Sequence, residues 1–238
     1  MEEVVFNGVA GRLEGRFHRS ENPKAPMVLV LHPDPTNGGS MNNRVTYAIF
    51  RSFVDMGFSV LRFNFRGVGS SQGQLDGTGV GELADAIVAL DWLQNIDTDA
   101  NQCWIAGYSF GAWIAAQVLM RRPEIKGFLF VTPPTNTYDF NFLSPCPSSG
   151  LVIQGTKDEV VDENSVAMLV EQLATNKDVE EQYKVDVQYR PIPRANHLYS
   201  NELKALYDTI TKTVPTIQLR PNKSTMRKST PIIPNDDY

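Results

Sequence analysis

Residues 102–119, QCWIAGYSFGAWIAAQVL, join a short apolar run to a longer one through a single serine between two glycines. The first run has the length and composition of a buried strand, and the second has those of a buried helix. Ser109 lies at the joint, with Gly107 two residues before it and Gly111 two residues after it. In so tight a turn a Cβ at either glycine position would crowd the chain. The stretch therefore predicts a strand–turn–helix unit that presents a hydroxyl at the end of a strand.

The segments around this unit alternate in the same way and predict a layered fold. The predicted strands are EVVFNG, RLEGRFHR, MVLVLH, SVLRFNF, CWIAGY, GFLFVT, LVIQG and VDVQYRPI, and the predicted helices are MNNRVTYAIFRSFVDMG, GELADAIVALDWLQNI, FGAWIAAQVLM, NSVAMLVEQLAT and NELKALYDTITKT. Strands that alternate with helices form right-handed crossovers, so we expect an α/β fold: a mostly parallel sheet with helices on both faces and an N-terminal antiparallel hairpin. Ligands bind beyond the carboxyl ends of the strands in such sheets. Ser109 lies at one of these ends.

Composition narrows the class of protein. A chain of 238 residues has the size of one large α/β domain, and its formal net charge of −5 disfavours nucleic acid as a partner. No run approaches the roughly 18 apolar residues of a membrane span. The N-terminus MEEVVFNGVA is acidic where a secretory signal is basic. We therefore expect a cytoplasmic protein without a membrane partner, in which Cys103 and Cys146 are free thiols.

The C-terminal stretch differs from the rest of the chain. We expect residues 1–213 to form a single domain and residues 214–238, VPTIQLRPNKSTMRKSTPIIPNDDY, to form a Pro-rich tail. The tail is either a disordered end or an extended arm docked on its own domain or on a second copy. We favour the arm, which would also offer a route to a homodimer. Its apolar anchors would be Ile217, Leu219, Ile232 and Ile233.

A serine hydroxyl becomes a useful nucleophile only when a base takes its proton. The chain has three histidines. His18 lies in the predicted N-terminal hairpin, away from the strand carboxyl ends, and His32 ends an earlier strand. His197 lies in PRANHLYS, between the last strand and the last helix, and is the candidate base for Ser109.

The base in turn needs an acid that fixes its orientation. Asp158 follows Gly155 in LVIQGTKDEVVD, where a strand ends beside the predicted site. Glu159 would point elsewhere in a tight turn, and Asp162 has the position of an N-cap for the following helix. Asp139, after the preceding strand, is the alternative. We predict that Asp158 is the acid.

Several motifs together resemble the α/β-hydrolase superfamily. They are LHPDPTNGGSMNN, LRFNFRGVGSSQG, AGYSFGA, GTKDEVV and ANH, which lie in the family's order between residue 27 and about residue 213. The chain is most similar to small lidless bacterial hydrolases related to dienelactone hydrolase and to acyl-peptidase catalytic domains. Dienelactone hydrolases carry cysteine where this chain has Ser109, so that substrate is not implied. The order serine, aspartate, histidine is the one that this resemblance implies.

An oxyanion hole would need two backbone N–H donors. The N–H of Phe110 opens the predicted helix after Ser109 and is one candidate. The resemblance places the second donor shortly after the strand that ends at His32. Proline has no N–H, which leaves Asp34, followed by Thr36. The Asp34 carboxylate would have to turn away from the oxyanion.

The region between the strands GFLFVT and LVIQG is where this superfamily inserts a cap. Its sequence, PPTNTYDFNFLSPCPSSG, is too short and too rich in Pro, Ser and Asn to form a helical cap. We therefore predict an open site walled by Tyr138, Phe140 and Phe142, with Tyr108 beside the serine. An open cleft buries little of a long acyl chain, which favours short acyl esters.

Other motifs favour structural roles. RGVGSSQG has Gly67 and Gly69, but Gly73 is one position late for a dinucleotide fingerprint and no helix follows at once, so no cofactor is expected. Arg66 is predicted to form a structural ion pair. No metal-binding pattern is present in the sequence.

The sequence therefore predicts a serine hydrolase that cleaves small-molecule carboxylic esters through Ser109, His197 and Asp158. A peptidase or thioesterase with the same triad and a non-catalytic scaffold are the alternatives.

Overall fold

Strands and helices alternate along the chain in a computed structural model that describes residues 1–75, 78–174 and 184–220. The strands are β1 Glu2–Gly8, β2 Gly11–His18, β3 Met27–Leu31, β4 Ser59–Phe63, β5 Cys103–Tyr108, β6 Ile125–Val131, β7 Ser149–Gly155 and β8 Val187–Ile192. The helices are α1 Arg44–Asp55, α2 Val80–Ile96, α3 Phe110–Arg121, α4 Glu163–Ala174 and α5 Leu203–Thr213. Each predicted strand and helix is present, so the α/β prediction is confirmed.

All eight strands form one sheet in the order β1-β2-β4-β3-β5-β6-β7-β8. The pairs β1–β2 and β2–β4 are antiparallel, and every other pair is parallel. The carboxyl ends of β3 and β5 to β8 therefore meet at one edge of the sheet. The predicted N-terminal antiparallel hairpin is confirmed.

Two apolar clusters cover the two faces of the sheet. One contains side chains of α2, α3 and α4, and the other contains side chains of α1 and α5. The central strands β3 to β7 are almost entirely buried, as a parallel sheet covered on both faces requires. The core thus holds rigid the strand ends that carry the candidate site.

Helix α1 shows how local signals set an element's bounds. The side chain of Asn43 accepts a hydrogen bond from the Val45 N–H at 2.9 Å, and the chain leaves the helix through Gly57, whose φ is 85°. The buried Ile49 and Phe53 follow the predicted helical spacing. The helix is shorter than the quoted stretch 41–57 because the asparagine cap starts it later.

The segment between β6 and β7 contains one short 3-10 turn, Asn141–Leu143, and no cap domain. The lidless prediction is confirmed. The turn lies against the core through the fully buried Leu143.

Residues 214–220 continue along the domain beyond α5. Ile217 is buried, the Gln218 carbonyl accepts a hydrogen bond from the Ser149 hydroxyl at 2.7 Å, and Arg220 donates to the Pro147 carbonyl at 3.1 Å. The packed chain therefore extends past Thr213. The anchors Ile232 and Ile233 lie outside the described residues.

The glycine-rich stretch after β4 forms turns against the N-terminal hairpin. Gly67, Gly69 and Gly73 all have positive φ, and the next helix begins only at Val80. Arg66 donates to both carboxylate oxygens of the fully buried Asp85, at 2.7 and 2.9 Å. The predicted structural ion pair is confirmed.

Both cysteines are free thiols, as predicted, and both are buried. In the part of the chain that the structure describes, none of the helices has the length and apolarity needed to cross a membrane.

Candidate active site

Ser109 lies in the turn between β5 and α3 with φ 53° and ψ −122°. This backbone conformation is rare for a residue with a side chain and costs about 1–3 kcal/mol. A Cβ on Gly107 would overlap the carbonyl of Gly111, so the predicted crowding at this position is confirmed. A Cβ on Gly111 would overlap the carbonyls of Leu31 and His32 at the end of β3. The second glycine thus lets the helix approach a neighbouring strand, a contact that only the sheet order reveals.

His197 follows β8 and lies beside Asp158, which follows β7. The His197 Nδ1 is 3.0 Å from Asp158 Oδ2 and 3.2 Å from Asp158 Oδ1. The histidine side chain is 17% exposed and the aspartate side chain is fully buried. A carboxylate only accepts, so Nδ1 carries the proton and Nε2 is the ring nitrogen left to act as a base.

The turn after β7 holds the Asp158 carboxylate from its other side. The N–H groups of Val160 and Val161 donate to Oδ1 at 2.8 and 2.9 Å. Burial raises the pKa of Asp158, but the hydrogen bond from His197 and those from the two N–H groups outweigh it and bring the pKa below its usual value. Asp158 therefore remains ionised beside the histidine.

The other acidic residues considered as partners of His197 have different contacts. Asp139 accepts a hydrogen bond from the Asn141 N–H at 2.8 Å. Asp162 caps α4 through the Ser165 N–H at 3.0 Å, as predicted. Glu159 is exposed.

Two tyrosines hold the loop that carries His197. The sequence predicts that Tyr108 contacts substrate, and Tyr199 is not among the predicted site residues. Tyr108, predicted as a pocket residue, is buried, and its hydroxyl donates to the His197 carbonyl at 2.7 Å. Tyr199 is fully buried with φ 50°, and its hydroxyl pairs with that of Thr132 at 2.9 Å. Thr132 itself has φ 50° at the end of β6. No local pattern signals these contacts, because they join residues of different strands.

The two remaining histidines lie elsewhere. His18 ends β2 and pairs with Val60 near the amino end of β4, at the opposite edge of the sheet from Ser109. His32 is fully buried at the end of β3. Its Nδ1 donates to the Pro33 carbonyl at 2.7 Å, and its Nε2 accepts from the Phe65 N–H at 3.1 Å. Both ring nitrogens are thus occupied within the fold.

A cavity of about 360 Å³ contains Ser109 and His197 together with Phe110, Asp34 and Tyr138 in its walls. Tyr108 also lines it. Among the described residues the Ser109 hydroxyl has no hydrogen-bond partner. Hydrogen bonds between nucleophile and base are often long before substrate binds.

Phe110 and Asp34, the two residues predicted to supply oxyanion donors, both line this cavity. Phe110 is the first residue of α3, so its N–H has no partner within the helix. The Asp34 carboxylate accepts hydrogen bonds from Thr36 and Asn37 at 2.7 to 2.8 Å, which occupies it inside its own turn. The Asp34 N–H makes no hydrogen bond to any described residue. The role of these two N–H groups as oxyanion donors remains a prediction.

The three loop aromatics do not all reach the cavity. Tyr138 lines it and stacks on Trp113 with ring centroids 4.3 Å apart. Phe140 is buried and lines a neighbouring cavity of about 400 Å³, which Tyr138 also lines. Phe142 stacks on Phe140 at 6.4 Å and lines neither cavity. At this 3-10 turn the side chains of Phe140 and Phe142 pack against the core and not in the cavity that contains Ser109.

Within residues 1–75, 78–174 and 184–220, no group of three or more His, Cys, Asp or Glu side chains could hold a metal ion. The prediction that catalysis needs no metal remains a prediction.

Comparison with known proteins gives concordant matches. The model of the X-Pro dipeptidyl-peptidase (S15) family matches residues 18–144, a range that includes Ser109. A protein of Rickettsia prowazekii is 46% identical over 221 residues, which are 92% of this chain and 90% of that protein.

Two solved structures show the same fold. An Agrobacterium tumefaciens protein assigned to the α/β hydrolases is 50% identical, with a TM-score of 0.84 over 90% of this chain and 95% of that chain. An α/β serine hydrolase without a lid from Xanthomonas campestris is 28% identical, with a TM-score of 0.77 over 92% of this chain and 96% of that chain. Since the family model covers more than half of the sequence, the chain belongs to the X-Pro dipeptidyl-peptidase (S15) family, within the α/β serine hydrolases.

Proposed function

We propose that this hydrolase cleaves short-chain carboxylic esters through an acyl-enzyme formed on Ser109. The observation that carries the proposal is the buried pair of Asp158 and His197, whose contact of 3.0 Å lies beside the cavity that contains Ser109. This pair leaves Nε2 of His197 as the base, which is the role that a serine nucleophile requires.

The reaction has two stages. The Ser109 hydroxyl attacks the acyl carbon while His197 Nε2 takes its proton, and the same nitrogen then gives that proton to the departing alcohol. In the second stage His197 Nε2 takes a proton from a water molecule whose oxygen attacks the acyl carbon. The bond from that carbon to Ser109 Oγ then breaks, and His197 gives the proton to Oγ, which releases the acid and restores the serine. Asp158 stays ionised and stabilises the imidazolium that forms in each stage.

The N–H groups of Phe110 and Asp34 would hold the oxyanion of each tetrahedral intermediate. Loss of one such donor typically costs about 3 kcal/mol of transition-state stabilisation. The carboxylate of Asp34 does not oppose this role, because Thr36 and Asn37 already bind it inside the turn.

An ester is favoured over a peptide by the shape of the site. The cavity is open and has no cap over it, and a short ester needs few contacts beyond the oxyanion hole. The matching family is named for a dipeptidyl-peptidase activity, so an amide with proline before the scissile bond is the rival substrate. A thioester is the second rival because it would use the same groups.

The first test is labelling of Ser109 with a fluorophosphonate probe, located by mass spectrometry. We expect the protein and its Ser70→Ala variant to label, since Ser70 is an exposed serine outside the site. The Ser109→Ala variant should not label. Equal labelling of the Ser109→Ala variant would overturn the proposal.

The second test compares p-nitrophenyl acetate, an acetyl thioester and Gly-Pro-p-nitroanilide at the same enzyme concentration. The proposal requires the highest kcat/KM with the ester. A higher value with the anilide would assign the site to peptide cleavage.

A further inference from the structure

Gln154, near the end of β7, places a carboxamide beside the Asp158 carboxylate. The glutamine is fully buried and follows the apolar residues Val152 and Ile153 in a central strand. A buried amide is destabilising unless it finds hydrogen-bond partners, so its presence at this position requires an explanation.

The side-chain nitrogen of Gln154 lies within hydrogen-bond distance of three acceptors. Its Nε2 donates to Asp158 Oδ2 at 3.2 Å, to the Val161 carbonyl at 3.1 Å and to the Gly155 carbonyl at 3.4 Å. Its Oε1 is buried and has no partner among the described residues. A rotated amide would set that oxygen against the same three acceptors, so the surroundings fix the orientation with the nitrogen towards Asp158.

The amide shares its acceptor with the candidate base. Asp158 Oδ2 accepts from both Gln154 Nε2 and His197 Nδ1, while Oδ1 accepts from the N–H groups of Val160 and Val161. With donors on both oxygens the carboxylate has one orientation. That orientation decides where the imidazole ring of His197 lies.

We propose that Gln154 is a positioning residue, whose amide fixes the Asp158 carboxylate as a hydrogen-bond acceptor for His197. The inference rests on the proposed function of this site. The positioning role also explains why this position holds a glutamine and not a glutamate. A carboxamide donates at every pH, whereas a carboxyl group donates only when it is protonated.

Other titratable groups face Asp158 and must be considered in a pH experiment. They are His197, Tyr108 and Tyr199. Burial is the main cause that raises the pKa of each tyrosine far above its usual value, so both remain neutral below pH 10. Lys157 and Glu159, the sequence neighbours of Asp158, are exposed.

Two variants separate this role from packing. Gln154→Met keeps the length of the side chain without its donor, and we expect kcat for p-nitrophenyl acetate to fall about tenfold while KM stays unchanged. Gln154→Glu keeps the shape and adds a carboxyl group whose pKa burial beside Asp158 raises. This variant should keep part of its activity while that group is protonated and lose it as the group ionises. The expected signature is a new alkaline fall in kcat that the original protein lacks.

Gln188→Glu is the matched control. Gln188 lies on β8, and its Nε2 donates to Oδ2 of Asp186, just before that strand, at 3.0 Å. The same substitution therefore places a carboxyl group beside an aspartate outside the site. Its pH profile should equal that of the original protein. Thermal melting at each pH verifies that the variants are folded, and either Gln154 variant alone decides the question if the other fails to fold.

The outcomes are distinct. If the original protein is active and labels at Ser109, but folded Gln154 variants keep its pH profile and its kcat, the inference is wrong. A folded Gln154→Met variant that loses thermal stability but keeps kcat and KM would assign Gln154 a packing role and would also overturn it. If the original protein neither labels nor hydrolyses the ester, the proposed function fails before the inference is reached.

Discussion

Ser109 combines a reactive position with a strained backbone. Its φ of 53° lies in the left-handed region, where a Cβ is unfavourable and glycine is not. The fold holds this conformation because β5 and α3 are fixed on either side by the core. Ser109 lines the cavity in this conformation, so stability and the proposed activity conflict at this residue.

Replacing Ser109, the proposed nucleophile, by glycine should therefore stabilise the protein more than replacing it by alanine. Ser109→Ala keeps the Cβ and the strain, whereas Ser109→Gly removes both. We expect the glycine variant to exceed the alanine variant in free energy of unfolding by about 1 kcal/mol, measured by urea denaturation. Both variants should be inactive. An alanine variant as stable as the glycine variant would show that the serine conformation is unstrained.

Asp158→Asn should lower kcat strongly with little structural change. An asparagine can keep its oxygen towards Val160 and Val161, but its NH₂ group then faces His197 Nδ1 and favours the wrong tautomer. We expect kcat for p-nitrophenyl acetate to fall about 10³- to 10⁴-fold. The melting temperature should also fall, because the same NH₂ group meets the buried Gln154 Nε2, which is a second donor. The same substitution at Asp162, the cap of α4, should leave both stability and kcat near their original values, since asparagine caps a helix about as well as aspartate does.

His32 links the stability of the fold to pH. Burial lowers its pKa from 6.5 to about 4, and its Nε2 accepts a hydrogen bond that a proton would remove. The unfolded chain therefore takes up a proton at a higher pH than the folded chain does. Stability is complete above pH 6.5 and decreases as the pH falls from 6.5 to about 4.

This difference corresponds to about 3 kcal/mol of unfolding free energy between those pH values. Urea denaturation at a series of pH values measures it. His32→Gln offers an acceptor to the Phe65 N–H without titrating, so its stability should change less over the same interval. If the two proteins lose stability in parallel, groups other than His32 cause the acid sensitivity.

At the scale of single elements, the β6–β7 segment sets the size of the site. Tyr138 lies between the cavity that contains Ser109 and a neighbouring cavity of about 400 Å³, and it stacks on Trp113. Under the proposed function, its side chain would limit the space for the acyl chain of the substrate.

Removing this side chain should shift the preferred substrate length. On p-nitrophenyl esters from acetate to decanoate, the original protein should prefer the shortest chains, since each additional buried CH₂ contributes only about 0.8 kcal/mol. Tyr138→Ala should move the maximum to longer chains, and Tyr138→Phe should not. A maximum at long chains in the original protein would mean that another segment covers the acyl group.

The elements themselves could be predicted from the sequence because their signals are local. Buried parallel strands read as continuous apolar runs, and Asn43 and Gly57 mark the ends of α1. The direction of the loop aromatics could not be predicted. Phe140 is buried at the residue just before the 3-10 turn Asn141–Leu143, and no spacing rule identifies that turn.

At the scale of the whole molecule, the sequence again predicts local positions but not the contacts that the assembled sheet creates. Ser109, Asp158 and His197 follow strand ends, and the parallel sheet brings such ends together, so these candidates could be named from sequence. Gln154 and Tyr199 could not. Their partners belong to other turns and loops, and only the assembled sheet brings them into contact.

Residues 214–220, the first part of the predicted C-terminal tail or arm, pack on the domain. Ile217 is buried, and Gln218 joins Ser149 and Asp186 by hydrogen bonds of 2.7 and 2.9 Å. A chain that ends at Thr213 should therefore melt several degrees below one that ends at Arg220, since about 1 kcal/mol shifts the melting temperature by about 2–4 °C at this size. Differential scanning calorimetry measures the difference. Equal melting temperatures would show that these contacts contribute no stability.

The order of the three candidate residues along the chain has a consequence for biosynthesis. The nucleophile leaves the ribosome first, the acid second and the base last, and the base is oriented only when β8 has joined the sheet beside β7. A nascent chain that stops before residue 197 lacks the proposed base of Ser109. The proposed acyl transfer can therefore begin only after residue 197 has been translated and β8 has joined the sheet.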